Sequence, residues 1–246
     1  MRVWDVHPGY LDRGGLLGQH VEIHGIWSVL ERGGGYSNHP EVMRWRDYPG
    51  RLKVAHYLTA EEMGLRGFGH RSPLDFDEDE VEPGYPEYLL SPGEQLELIG
   101  EKLERRASVG RIPLPVRASQ FWSHHKYSVM ARGYQHYKAI SGLLADGDDR
   151  RVSEASDVPD AVLSMMRSFP SDKALRNTLD HLWGYHKNHA SEEERKRYFE
   201  SRDRGGIGSA LHFIYELSTL YSVDYLLWST IFADLPPRRA NGCSQR

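Results

Sequence analysis

Apolar residues recur at three- and four-residue steps along most of the chain, and the alternation that marks strands is weak throughout. Leu16, His20, Ile23, Trp27 and Leu30 form one such stripe, and Gly33-Gly34-Gly35 stops it. Glu22 falls at the edge of that stripe, one turn from Gln19 and Ile26. A helix here therefore turns Glu22 toward a cleft rather than into a core. Asn38 to Pro49 reads as loop with a short element. Helix spacing resumes over Arg51 to Arg66 through Leu52, Ala55, Leu58 and Met63. The acidic run Asp75 to Glu82 predicts a solvated loop. Ser91-Pro92-Gly93-Glu94 then places serine at a helix cap, proline first and glutamate third, so a helix starts there and runs to about Arg106.

Ala107 to Arg117 carries two prolines, and composition changes across it, so it is the best linker candidate. Helical patterns follow over Gln120 to Leu144, Pro159 to Phe169, Asp172 to Lys187 and Ser191 to Arg202, the last opened by a second capping box, Ser191 with Glu194. A long apolar helix is predicted from about Gly208 to Leu235, closed by Pro236-Pro237. The expected fold is all-α, with residues 1–106 as one unit, 107–117 as linker, 118–236 as a helical bundle and 237–246 as a disordered tail.

Composition narrows the classes. The chain has 246 residues, 39% hydrophobic and 11% aromatic, which is ordinary for a folded protein. Its net charge of −4 does not announce a nucleic-acid binder, although a local basic face is compatible with it. The lone cysteine, Cys243, excludes an internal disulfide or a cysteine-based zinc site. A signal-peptide pattern is missing at the start, and the most apolar stretch carries Glu216 and Asp224, so a cytoplasmic protein without a membrane span is expected.

The start of the chain has its own chemistry. Met1 is expected to be retained, because Arg2 is bulky, and its α-amine is a candidate nucleophile. An α-amine titrates near ~7.7–8.0, so about a quarter is neutral at about pH 7.4, against roughly one in a thousand for a lysine near ~10.4. A terminus is thus the better amine nucleophile by about two orders of magnitude.

Met1-Arg2-Val3-Trp4-Asp5, Leu16-Leu17 with Glu22-Ile23, Gly35-Tyr36-Ser37-Asn38-His39-Pro40-Glu41, Arg44-Trp45 and Gly67-Phe68-Gly69-His70-Arg71-Ser72-Pro73-Leu74 together resemble the pyrimidine-dimer DNA glycosylase (endonuclease V) family over about residues 1–106. The resemblance implies a bifunctional glycosylase and AP lyase. Met1 would be the nucleophile and Glu22 the acid–base group, acting on a flipped nucleotide of damaged duplex DNA, near the nucleoid, with no cofactor. Arg2, Arg13, Arg44, Arg46, Arg51 and Lys53 become candidates for phosphate contacts, and His20, His24 and His39 for phosphate binding or proton transfer. His20 and His24 stand four apart, a spacing that suits a metal, but no HExxH pattern accompanies them and no metal site is expected. The family usually has arginine where this chain has Val21, and the phage enzyme has another where this chain has Gly25. The resemblance therefore implies a reaction type more sharply than a dimer substrate.

Phe121-Trp122-Ser123-His124-His125-Lys126-Tyr127 and Asn177-Thr178-Leu179-Asp180-His181-Leu182-Trp183-Gly184-Tyr185-His186-Lys187 resemble the YbgA-like domain of unknown function over about residues 118–235. Such domains accompany desulfidases of modified nucleobases, whose iron–sulfur cluster the single cysteine here excludes. His125, Lys126, His181 and Lys187 are the candidates for a nucleic-acid cleft in this half. Two readings stand beside the glycosylase: a non-catalytic nucleic-acid-binding protein, and an enzyme on modified nucleobases in RNA. The oligomeric state is open.

Overall fold

A computed structural model describes residues 1–145, 149–155 and 157–234. The predicted tail, Pro236-Pro237 and Cys243 lie outside the described residues. The fold is all-α, and among the described residues there is no sheet, only an isolated bridge between Arg117 and Arg151. The helices are α1 (Arg13–Arg32), α2 (Pro40–Trp45), α3 (Pro49–Leu65), α4 (Pro92–Arg106), α5 (Ala118–Met130), α6 (Tyr134–Ala145), α7 (Asp157–Met166), α8 (Asp172–Trp183), α9 (Glu192–Glu200), α10 (Gly206–Leu220) and the short α11 (Asp224–Leu227). No helix among the described residues is long and apolar enough to cross a membrane.

Local chemistry sets many of the boundaries. Asp12 caps α1 by accepting the Gly15 amide at 2.7 Å. Both predicted capping boxes form: Ser91 with Glu94 opens α4, and Ser191 with Glu194 opens α9. The acidic run is more than a solvated loop, because its last member, Glu82, reaches back to α3. Its carboxylate accepts the Gly50 and Arg51 amides at 3.0 Å each, where α3 has no side-chain cap of its own.

Two predicted long helices are each broken. The helix expected over Gln120 to Leu144 splits into α5 and α6 at Gly133, a poor helix former. Just before it, Arg132 turns aside to a buried ion pair with Asp234, its Nη1 also donating to the Ser128 carbonyl of α5 at 2.8 Å. The helix expected over Gly208 to Leu235 ends at Leu220. There Ser222 adopts φ 52°, and the Val223 amide bonds back to the Ser218 carbonyl at 2.8 Å. This closes the helix without the glycine that such ends favour. The helices over Asp172 and Ser191 also stop short, at Trp183 and at a wide π-type turn, Ser201–Gly205.

Among the described residues, three hydrophobic clusters fill the interior. One, beneath the first residues, joins Val3, Ile23, Ile26, Val42, Trp45 and Leu52. A second packs α8 and α10 of the C-terminal half around Leu179, Leu182, Tyr198 and Ile214. Between them, a central cluster mixes both halves, from Tyr10 and Leu16 to Phe121, Val129 and Val162.

The predicted linker residues are irregular in backbone yet not free. Ile112 is fully buried, and its amide donates to the Gly9 carbonyl at 2.9 Å. Gly110 passes so close to the 3₁₀ turn Pro8–Tyr10 that a Cβ there would meet the Tyr10 carbonyl oxygen at 2.6 Å. Arg111 donates to the fully buried Glu62 carboxylate at 2.7–3.1 Å and also reaches the Leu227 carbonyl. Arg66 completes this group, donating to Glu62 at 2.8 Å and to the carbonyls of Leu11 and Gly9. Removing one partner of such a buried group costs about 3–5 kcal/mol, because the remaining charge is left uncompensated.

Histidines near this junction make stability depend on pH. Burial pushes His7 and His125 well below the usual histidine range and His124 down to about 4, with the Arg111 guanidinium adding to the effect at His7 and His124. In the unfolded chain these rings titrate near ~6.5. The folded pKa values are the lower ones, so the unfolded state binds more protons as pH falls below that value. The stabilisation is present above about 6.5 and is lost on acidification. The midpoint of thermal unfolding is expected to drop by at least about 5 °C between about pH 7 and about pH 5. A midpoint that is flat over that window would contradict the burial of neutral rings.

Candidate functional site

The first residues run as an extended segment against α1, α2 and α4. An extended segment outside a sheet leaves its backbone amides without ladder partners. Here three successive amides are each met by a long-range side chain. Val3 donates to Glu41 Oε1 at 3.3 Å, Trp4 to Gln19 Oε1 at 2.9 Å and Asp5 to Gln95 Oε1 at 2.8 Å. The three acceptors are buried and are themselves fixed. Gln19 donates its other end to Thr59 Oγ1 at 2.9 Å, Glu41 accepts from Trp45 Nε1 at 2.9 Å, and Gln95 donates to Asp5 Oδ2 at 2.9 Å. Val3 and Trp4 are buried on either side of this track.

The consequence is felt at the chain end. Met1 packs against the Val3 cluster, and its α-amine lies 3.7 Å from Glu22 Oε2. Glu22 is part-exposed on α1, at the edge of the buried stripe Leu16, Gln19, Ile23 and Ile26, as its position in the helix predicted. An amine and a carboxylate at this separation form an ion pair at rest. The same carboxylate is placed to accept the proton that the amine must lose before it can act as a nucleophile.

Residues 1–76 match the pyrimidine dimer DNA glycosylase family. Residues 126–236 match a second family, described as a protein of unknown function (DUF1722). The two matches stand at opposite ends of the chain, in the arrangement that the sequence motifs implied. No curated protein and no solved structure was found to match the chain.

Around Met1 and Glu22, the predicted phosphate contacts divide. Arg2 is exposed next to the amine, its guanidinium 5.0 Å from the Trp4 ring centre, and Arg13 is exposed at the start of α1. Arg46 is exposed and donates to the Ser37 carbonyl at 2.9 Å, and Lys53 lies half-buried over the Trp27 ring. Two others are corrected. Arg44 is enclosed between Asp5 and Glu41, and Arg51 is buried against the carbonyls of Glu82, Gly84 and Arg167. Both are held by partners within the protein itself.

A group of cations on α4 was not legible as part of this region from the sequence. Lys102 Nζ stands 4.6 Å from the same Trp4 ring that Arg2 covers. Burial lowers the Lys102 pKa, and Arg2, Arg106 and Arg105 push it further down, the mark of a crowded positive patch. Lys102 sits far from Trp4 in sequence, and no local pattern announces the contact. Arg106 is partly engaged by Asp12 at 3.1 Å.

The histidines are also redistributed. His39 caps α2, its Nδ1 accepting the Glu41 amide at 3.2 Å, so it serves the fold. His20 and His24 face away from Glu22, toward His56 of α3 and His70 of the following loop. His125 is corrected outright: it is fully buried, stacked on Phe121, and donates from Nδ1 to the Phe121 carbonyl at 2.8 Å. Lys126 lies over the rings of Tyr127 and Tyr225, while His181 and Lys187 are exposed at the end of α8 and just beyond it. A cavity of about 90 Å³ opens between the first segment, α3 and α7, with Arg51, Tyr85 and Arg167 in its wall, and does not include Met1 or Glu22.

Gln19→Ala removes the acceptor for the Trp4 amide and leaves a buried donor, a loss of about 1–3 kcal/mol. Hydrogen exchange at the Trp4 amide is expected to speed up about ten-fold or more in this variant, with the amides deep in α5 unchanged. Equal protection in both proteins would show that the amide is held by something other than Gln19.

Proposed function

We propose that the N-terminal half is a DNA glycosylase with AP-lyase activity that uses the Met1 α-amine as its nucleophile. The observation that carries this reading is the α-amine held 3.7 Å from Glu22, within the segment matched by the glycosylase family. Glu22 takes a proton from the ammonium, and the freed lone pair attacks C1′ of an extruded nucleotide. The C1′–N bond to the base breaks, and the base leaves with the proton that Glu22 took. Glu22 then relays a second proton from the Met1 nitrogen to O4′ as the sugar ring opens, which gives an iminium between Met1 and C1′ and leaves Glu22 ionised. Loss of a C2′ proton to Glu22 then expels the 3′ phosphate by β-elimination, and water releases the enzyme. Each step needs only the amine, one carboxylate and a proton path between them.

Arg2 and Lys102, both over the Trp4 ring, form the phosphate-binding rim of this site, which gives an otherwise acidic chain a local positive face. Position 21 tells against a dimer-specific grip. Val21 is 67% exposed beside Glu22 and offers no cation, and the space around Gly25 is open. An abasic site, which already presents its C1′ carbon without a base to expel, is the substrate that asks least of these positions. The C-terminal half, with Lys126, His181 and Lys187 outward, extends the nucleic-acid surface in this reading.

Borohydride trapping tests the proposal. Protein mixed with an abasic duplex, or with a UV-irradiated one, is expected to form a covalent adduct on reduction. Acetylation of the α-amine is expected to abolish the adduct, and Glu22→Gln to slow strand cleavage by about 10²–10⁴-fold. Absence of any adduct, or an adduct that survives acetylation, would overturn the assignment.

A further inference from the structure

His20 and His24 on α1, His56 on α3 and His70 in the loop after it bring four imidazoles together, with one ring nitrogen from each within 4.8 Å of the others. His56 Nε2 lies 3.2 Å from His20 Nε2 and 3.1 Å from His24 Nε2. Hydrogen bonding does not account for this convergence. A ring nitrogen carries either one N–H or one in-plane lone pair, so His56 Nε2 can satisfy one of these neighbours but not both. A metal ion satisfies every lone pair at once. Metal–nitrogen bonds of about 2.0–2.1 Å in a tetrahedron place neighbouring nitrogens roughly 3.3–3.4 Å apart, close to the two separations from His56 and within the 4.8 Å span of the four.

The surroundings suit a cation. The four rings pack edge to face and tilted at centroid distances of 4.7–5.1 Å, and Ser72 Oγ lies 3.2 Å from His24 Nε2. The cluster spans segments that are otherwise joined mainly by α1 against α3. The loop carrying His70 has no regular secondary structure of its own.

We propose that His20, His24, His56 and His70 form a binding site for one divalent transition-metal ion of the imidazole-preferring class, Zn²⁺ foremost. Four protein ligands leave no open position, so the ion is a structural clasp and not a Lewis acid for the reaction. Position on α1 agrees. At roughly 3.6 residues per turn, His20 and His24 lie about 160° around the helix from Glu22, across the buried stripe. The ion therefore fastens the 66–74 loop to the back of the helix whose other edge carries the carboxylate. The site owes nothing to the amine chemistry, and its test needs no DNA.

The test uses tag-free, full-length protein stripped with a chelator. Elemental analysis after incubation with Zn²⁺ and desalting is expected to give one ion per chain, and Co²⁺ to give the intense visible bands of a tetrahedral site. Zn²⁺ at about 100 times its Kd is expected to raise the unfolding midpoint by roughly 5–10 °C. His70→Ala, in a loop and so least able to disturb the helices, is expected to weaken binding at least about ten-fold. His56→Ala does the same if it folds, and His212→Ala, an exposed histidine far from the cluster in sequence, leaves binding unchanged. Sub-stoichiometric Zn²⁺, or one ion bound as tightly after His70→Ala as before, would overturn the site.

Discussion

The capture of three successive backbone amides by buried side chains is the interaction on which the site depends. An extended segment at a chain end ordinarily frays, since its amides lose nothing by facing water. Here Val3, Trp4 and Asp5 are held by Glu41, Gln19 and Gln95, which come from α2, α1 and α4. Each acceptor is tied in turn to another element, so the segment is fixed by the assembled fold rather than by any neighbour in sequence. That fixity turns a chain terminus into a positioned group. The α-amine then meets Glu22, which α1 presents at the edge of its buried stripe.

The same logic joins the two halves. Glu62 is fully buried with the guanidinium groups of Arg66 and Arg111, and Arg111 continues to the carbonyls of Leu227 and Ser229. The segment between the halves is thus bound on both sides, with Ile112 in the central cluster beside Tyr10 and Phe121. Asp5 belongs to this pattern of buried charge: burial raises its pKa, while Arg44, Gln95 and the Tyr85 hydroxyl pull it back down. Such polar groups are costly unless every member is satisfied, and here they are spent on fixing geometry near the first residues.

What was legible in the sequence follows the range of the interactions. Capping boxes at Ser91 and Ser191 and the glycine stop at residue 33 are local chemistry, and each forms as read. The position of Glu22 at a helix edge follows from periodicity alone. Helix ends set by tertiary contacts were not legible: Arg132 leaves its helix for Asp234, and Ser222 takes a left-handed turn that glycine would have advertised. Charge type misled in the same way. Arg44, Arg51 and His125 look like surface groups in sequence but are enclosed by partners far along the chain, such as Asp5, Arg167 and Tyr10, whereas Lys102 returns to Trp4 unannounced. The four-histidine cluster was hidden because only His20 and His24 share an element.

In the proposed reaction the pinned segment, not merely a free amine, makes the nucleophile. Extending the chain by one glycine ahead of Met1 keeps a primary amine and all three amide contacts, but moves the amine by about 3.3 Å, the rise of one extended residue. The most direct measurement is the rate of borohydride-trapped adduct formation on an abasic duplex for the extended and original chains. A misplacement of this size is expected to cost on the order of 100-fold, with thermal stability unchanged. Equal rates for the two chains would contradict the account.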